Sequence, residues 1–508
     1  MTRTRADVWN RTNAEGDWPD VLKAYELAVG RMRDLDPPTG KPSDPLGWRF
    51  QAAIHGLATS SGRPDTSNDL WCNCQHGSWY FLPWHRMYLA AFERIVRHTL
   101  EDETWALPYW YSIDPDDPGK AAVPPAFLDM TLNDNNLETI ERSQTARSGL
   151  PFYGDIDPVQ VGETVIATLS LDRYATPSGQ ATFGGGERAD LSFDGGERGS
   201  LENVPHGAVH SLVGNDYDEA GNVVNAGWMG SFYTAGLDPL FWLHHANIDR
   251  LWEVWLKLDP AHVNPTGDPA FLDTSFTFPD PESGSVTWSV GEVLDTEFLG
   301  YVYESLDAPS VLAPPAPPTP PSAAPPSGEP EDTRSASTEG SMPRPTPPQV
   351  LGAASEVSLA SPEPVAMDME PPQRARGLEG EPARVYLRVE GVTGTSAAPL
   401  YGVYLNVPEG EDPHDHPELR AGSFSTFGLV ETSQTDEQHD AEGLTASFDI
   451  TALRERLGEQ GQWDDDRVRI SFSTEVPGAP RGDDANTGRE SAAAGPDVRA
   501  RRIAILVD

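Results

Sequence analysis

The chain has 508 residues, too many for one ordinary core at roughly 150 residues per domain, so two or three units are expected. Lys and Arg number 36 against 79 Asp and Glu, a formal charge of −43 that argues against nucleic acid and anionic membrane surfaces as partners. No run of ~20 apolar residues is present to span a bilayer, and no apolar stretch follows Arg3 and Arg5, so no secretory signal is visible and a cytoplasmic location is the expectation, helper-assisted export aside.

In chain order, apolar residues at helical spacing predict helices over 18–35, 46–57, from Pro83 through Val96, over the short stretch 206–212, and over 239–258. Pro83 suits a first helical turn. Gly, Pro and Asp-rich loops lie between them, which reads as a helical core with long loops. Cys72 and Cys74 are one residue apart, too close for an unstrained disulfide. From 313 to 381 the composition turns to Pro, Ser, Gly and Glu; this segment buries little and is expected to be a disordered linker. It separates a unit over 1–312 from one over 382–508. The second alternates, as in Arg384-Val-Tyr-Leu-Arg-Val-Glu390, with further short strands over 401–407, 423–430, 444–450, 468–473 and 503–507. An antiparallel β-sandwich or barrel is expected, interrupted by a short helix over 451–457.

The histidines carry the chemistry. His206 and His210, four apart, share one face of a helix. His244 and His245 sit in Phe241-Trp-Leu-His-His-Ala-Asn-Ile-Asp249, an apolar helix in which an imidazole is costly without a partner. A metal is one such partner and a carboxylate another; Asp249, one turn on, is a candidate acceptor that orients a ring. His55 ends a helix, His76 lies in the loop Cys72-Asn-Cys-Gln-His-Gly77, and His85 begins the next helix. His55, His76 and His85 form one candidate group, and His206, His210 and one of the His244–His245 pair another; two groups of three imidazoles with no carboxylate in either motif favour a pair of copper ions over zinc. His414 and His416, in Pro-His-Asp-His-Pro, read as an exposed polar loop.

At these residues the sequence resembles the type-3 copper family of tyrosinases, catechol oxidases, plant polyphenol oxidases and molluscan-type hemocyanins, over about residues 5 to 305. The resemblance implies a mainly α catalytic domain, a four-helix bundle holding two copper ions per chain. One would be held by His55, His76 and His85, the other by His206, His210 and His245, with His244 a neighbour shaping the pocket. It further implies Phe232 as a gate over the metals, Glu202 as the holder of a water and candidate base, and a thioether joining Cys74 to His76. Where strong monophenol oxidases carry Asn after the first ligand of the second copper, this chain has Gly207. Oxidation of o-diphenols or o-aminophenols to o-quinones with dioxygen is therefore expected, with weak monophenol hydroxylation. A tyrosinase with both activities and, further off, a hemocyanin-like dioxygen carrier are the alternatives. Val385 to Gly391 and Tyr401 to Pro408 resemble the domain that follows the catalytic domain of plant polyphenol oxidases, and imply that the C-terminal domain shields the copper site.

Overall fold

The computed structural model of the chain describes residues 1–11, 19–129, 135–177, 179–188, 191, 195–312, 348–361, 363–370, 383–396, 398–434, 442–477 and 496–508. In the N-terminal region, α1 (Asp20–Asp34) buries Leu22, Tyr25, Ala28, Val29 and Met32 on one face. Helix α2 (Trp48–His55) stops at Gly56, where a Cβ would collide with the backbone of Phe232; the absent side chain lets that strand of chain approach the end of α2. Helix α3 (Phe81–Leu100) carries Pro83 in its first turn and is buried along most of its length. Helix α4 (Pro158–Leu169) and α6 (Pro239–Leu258) both open with an Asp cap and a Pro at the first position, Asp157 and Asp238 accepting from Val159 N and Leu240 N. Between them the chain passes through Glu202–His206, a wide helical turn broken at Val204 (φ −146°, ψ 125°), into α5 (Gly207–Gly214).

Helices α3 and α6 are joined behind the histidines by a buried ionic cluster. Asp249 accepts from Arg86 Nε at 2.6 Å, from the hydroxyls of Tyr301 and Tyr303 at 2.6 Å each, and from Arg5 Nη1 at 3.4 Å. Arg3–Arg5 and Tyr301–Tyr303 are parallel partners, so the two ends of the N-terminal region meet there. Removing one member of such a buried pair costs about 3–5 kcal/mol. Asp249 thus ties helices together and does not bond an imidazole, contrary to the expectation that it orients a ring; its oxygens are taken by stronger donors.

The C-terminal region forms two sheets. One runs β1 (Gln349–Ser358), β8 (Val498–Val507), β3 (Val385–Gly394), β6 (Leu444–Asp449) in spatial order and ends on Gly196–Glu197 of the N-terminal region. The other runs β2 (Val365–Asp368), β7 (Arg467–Glu475), β4 (Leu400–Leu405), β5 (Arg420–Ser425). The inward residues, among them Leu387, Val389, Val403, Ile470, Ile503 and Ile505, belong to one apolar cluster. Helix α7 (Thr451–Glu459) adds Leu453 and Leu457. Among the described residues neither sheet closes into a barrel.

Two sequence expectations change here. Strands β1 and β2 lie inside the segment assigned to the linker: β1 pairs with β8 from Gln349↔Val507 to Ser358↔Arg499, so the sheet region begins before residue 382. Residues 313–347 and 371–382 lie outside the described residues. The strand expected over 423–430 ends at Ser425, because Gly428 adopts φ +78° and the chain turns into Leu429–Thr432. No described helix is long and apolar enough to cross a membrane.

Candidate metal centre

Seven buried histidines converge between α2, α3, α5, α6 and the loop before α3. His55, His76 and His85 form one group whose ring nitrogens lie within 4.8 Å of one another; His206, His210, His244 and His245 form a second. The groups adjoin: the rings of His85 and His245 stack at 4.5 Å, and His76 and His206 are 6.0 Å apart.

Backbone carbonyls fix the rings. His55 Nδ1 lies 2.9 Å from Phe232 O, His85 Nδ1 2.8 Å from Phe81 O, His206 Nδ1 3.1 Å from Glu202 O and His210 Nδ1 2.8 Å from Met229 O. A carbonyl only accepts, so each Nδ1 carries the proton and each Nε2 presents a lone pair. The Nε2 atoms of His55, His85 and His206 are buried with no hydrogen-bond partner. Left so, each costs roughly 1–3 kcal/mol, and burial lowers the pKa of these imidazoles, His55 to about 4, so protonation does not relieve it. Neutral imidazoles with convergent, idle Nε2 atoms are what a soft divalent or monovalent metal pair requires.

His76 is held differently, with Cys74 Sγ 3.3 Å from its Nδ1. His244 is buried against His206 at 5.5 Å and His210 at 5.1 Å, and neither of its ring nitrogens has a hydrogen-bond partner. Phe232 stacks on His76, ring centroids 4.2 Å apart and 4° from parallel. Glu202 accepts from Gly77 N with both oxygens, at 2.9 and 3.0 Å, and its Oε1 lies 3.5 Å from Arg198 Nε; burial pushes its carboxyl up to about 7. His414 and His416 stand apart, in an exposed turn of the C-terminal region where His416 bonds Glu411 and Glu418.

One residue that sequence reasoning passed over completes the site. Phe427, from the turn after β5, stacks on His210 at 4.0 Å and 8°, and lies 5.7 Å from His206, 6.5 Å from His76 and 4.8 Å from Phe232. Its neighbours dock the two regions. Asn203 Nδ2 donates to Ser423 O at 2.8 Å and its Oδ1 accepts from Ser425 N at 2.9 Å. Glu431 accepts from Ser231 Oγ at 2.6 Å and from Phe232 N at 3.2 Å. Gly207 faces Ser425 so closely that a Cβ there would lie 2.9 Å from the serine Cβ.

Residues 45–258 match the model of the common central domain of tyrosinase, 266–316 that of the polyphenol oxidase middle domain, and 345–491 a domain of unknown function. A tyrosinase of Hahella sp., HcTyr1, is 30% identical over 507 residues, covering 93% of this chain and 96% of that one. The chain belongs to the tyrosinase family. Aureusidin synthase of Antirrhinum majus is 32% identical over 307 residues, and polyphenol oxidase E of Solanum lycopersicum 33% over 298; the alignments span about half the length of these plant relatives, 51% and 48%. Among solved structures, latent apple tyrosinase has a similar fold, with TM-score 0.63 over all of this chain and 97% of that one at 23% identity. Tyrosinases are dicopper phenol oxidases, and the two imidazole groups of this tyrosinase-family enzyme fit that copper pair.

Proposed function

We propose that the enzyme oxidises o-diphenols, or o-aminophenols, to o-quinones with dioxygen, and that the C-terminal region shields the site by inserting Phe427. The observation that carries this is the convergence of the imidazole groups, with the Nδ1 atoms of His55, His85 and His206 tied to carbonyls and their Nε2 atoms idle. His55, His76 and His85 would hold one copper and His206, His210 and His245 the other, within a bundle of α2, α3, α5 and α6; the copper pair supplies two-electron exchange with dioxygen and phenol.

The chain's own residues do the rest. Burial keeps the imidazoles neutral, and carbonyl acceptors keep them aimed. Glu202, joined to Gly77 N and near Arg198, takes the proton that a phenol releases, directly or through a water. Phe232, flat against His76, limits where the substrate ring lies. Each catechol gives up two electrons and two protons, and four electrons with four protons reduce one dioxygen to two waters.

The shielding reading rests on Phe427, whose ring covers His210 where a substrate ring would have to approach. It also fits the hydrogen bonds that Asn203, Ser231 and Arg198 make to the C-terminal region around Phe427. A second reading, a tyrosinase that hydroxylates monophenols strongly, is favoured by the near full-length likeness to HcTyr1. Gly207, which offers no side chain to help Glu202 take a phenol proton, favours the diphenol reading. The test is turnover of catechol, o-aminophenol and tyrosine by the copper-loaded full chain, intact and cleaved within 313–347. Catechol turnover that rises on cleavage, with little tyrosine turnover, is expected. Dioxygen binding without turnover in both forms would overturn the oxidase reading.

A further inference from the structure

Phe427 enters the imidazole site with its own backbone carbonyl, and that carbonyl is bound. Arg198 Nη2 donates to Phe427 O at 2.5 Å. Arg198 is 5% exposed, its Nε lies 3.5 Å from Glu202 Oε1, and its Nη1 has no hydrogen-bond partner. A guanidinium offers paired donors that match a carboxylate, and a buried one with an idle donor is costly to leave unmade. Here one donor edge meets an oxygen delivered by the shielding segment and another donor waits. The same segment brings a carboxylate, Glu431, into the electrostatic reach of Arg198.

The covalent skeleton of the plug is informative. From ring through Cβ and Cα to the carbonyl, a phenylalanyl unit is a 3-phenylpropanoyl group. Phe427 therefore sets an aromatic ring on His210, 4.0 Å away, while the oxygen of a carbonyl separated from that ring by two carbons sits on Arg198. A 3-arylpropanoate spans the same two points and adds a second oxygen for Nη1.

We propose that Arg198 is a substrate-binding residue, and that the unshielded site prefers catechols bearing a carboxylate two carbons from the ring, 3-(3,4-dihydroxyphenyl)propanoate being the simplest. This rests on the oxidase reading above and adds its specificity. The net charge of −43 opposes any anion at long range, but beyond about 8 Å that field is screened at physiological salt, whereas Arg198 acts in contact.

The experiment uses the copper-loaded full chain carrying Phe427→Ala, alone and combined with Arg198→Gln or Arg198→Lys. Three catechols are compared: the propanoate, its primary amide, and 4-methylcatechol. The kcat/KM ratio of propanoate to 4-methylcatechol is expected to fall about ten-fold or more in Arg198→Gln, through KM rather than kcat, and to be partly kept in Arg198→Lys. Taking the ratio cancels effects that reach all substrates through Glu202. Calorimetry on the copper-free proteins gives an independent readout: 3-phenylpropanoate should bind Phe427→Ala more tightly than 3-phenylpropanamide does, and lose that advantage in the Arg198→Gln background. An unchanged ratio, or an amide that matches the propanoate, overturns the proposal. If Arg198→Gln does not fold, the propanoate–amide comparison in Phe427→Ala alone decides it. Failure of the oxidase reading looks different, as no turnover of 4-methylcatechol in any copper-loaded variant while the calorimetry still reports on Arg198.

Discussion

The two imidazole groups differ in what covers them. The first lies between α2, α3 and the intervening loop, and its roof is Phe232, stacked flat on His76 and part of the same region. The second lies on α5 and α6, and its roof is Phe427, stacked equally flat on His210 but delivered from a turn 217 residues further along the chain. A roof that belongs to the catalytic region stays through turnover; a roof from another region is a position that can be vacated. On the proposed reading, the same geometry would act as a gate on one side and a stopper on the other. The pieces around the stopper agree with that division, since Asn203, Ser231 and Arg198 all spend side-chain hydrogen bonds on the C-terminal region.

The harshest test of the comparison removes a proposed copper ligand from each group. His85→Ala and His210→Ala should each reduce bound copper from two per chain toward one, read by metal analysis. Activity on catechol should drop more than about 100-fold, beyond the 10–100-fold typical of an outer partner. If either variant kept two coppers and near-normal turnover, that group would not be a metal site.

Next comes the roof itself. Phe427→Ala removes a buried ring worth about 1.5–3 kcal/mol from the closed state, so catechol turnover by the intact full chain should rise roughly ten-fold or more. Phe232→Ala should give a smaller activation, because it removes only the contacts of that ring with Phe427 and Gly428 and leaves the Phe427 ring in place over His210. Equal activation by the two substitutions would erase the distinction between gate and stopper.

Much of this was legible in the sequence, and the exceptions have causes. The helices around the histidines announce themselves by apolar spacing, by Asp-Pro starts such as Asp238-Pro239, and by imidazoles set among Phe241, Trp242 and Leu243. Phe427 carries no such mark. It sits in Ser-Thr-Phe-Gly-Leu-Val, which alternates like a strand, and only the left-handed Gly428 turns it out toward a ring more than 200 residues away. A Cβ on Gly428 would overlap the Phe232 ring, so that glycine was the available hint. Strand β1 was hidden because its alternation is poor: Gly352, Ala353 and Ala354 bring little apolar bulk, and its place is set by pairing with β8. Asp249 was misjudged because one turn of helix says who is near, not who binds; Arg86 and two tyrosines outcompete an imidazole for its oxygens.

A smaller effect sharpens the role of Gly207, which the resemblance ties to specificity and the structure ties to docking. The Cβ of Gly207→Ala would press on Ser425, and overpacking of this kind costs about 1–3 kcal/mol. The intact full chain should then gain several-fold in catechol turnover, and Gly207→Ala combined with Ser425→Gly should close again. Were Gly207→Ala to change the ratio of tyrosine to catechol turnover while the overall rate stayed low, the position would act on substrate alone.

The least effect on rate is expected where the two groups differ in ring anchoring. His55, His85, His206 and His210 each rest on a carbonyl, whereas the Nδ1 edge of His76 faces the sulfur of Cys74 at 3.3 Å, with both residues buried. A thioether formed there would exchange one S–H and one ring C–H for an S–C bond, and the two electrons and two protons released would reduce one dioxygen, the proposed co-substrate, to hydrogen peroxide. The anchor would become covalent in the group whose roof is permanent. A peptide spanning 72–89 from copper-loaded, air-exposed protein should be lighter by two hydrogens, and under reducing, denaturing conditions alkylation should label Cys72 but not Cys74. Cys74→Ser should keep both coppers and lose only a few-fold in turnover, since a carbonyl alone suffices for the other rings. Full alkylation of both cysteines in active, copper-loaded enzyme would show that His76 is held by packing against Phe232 without a covalent link.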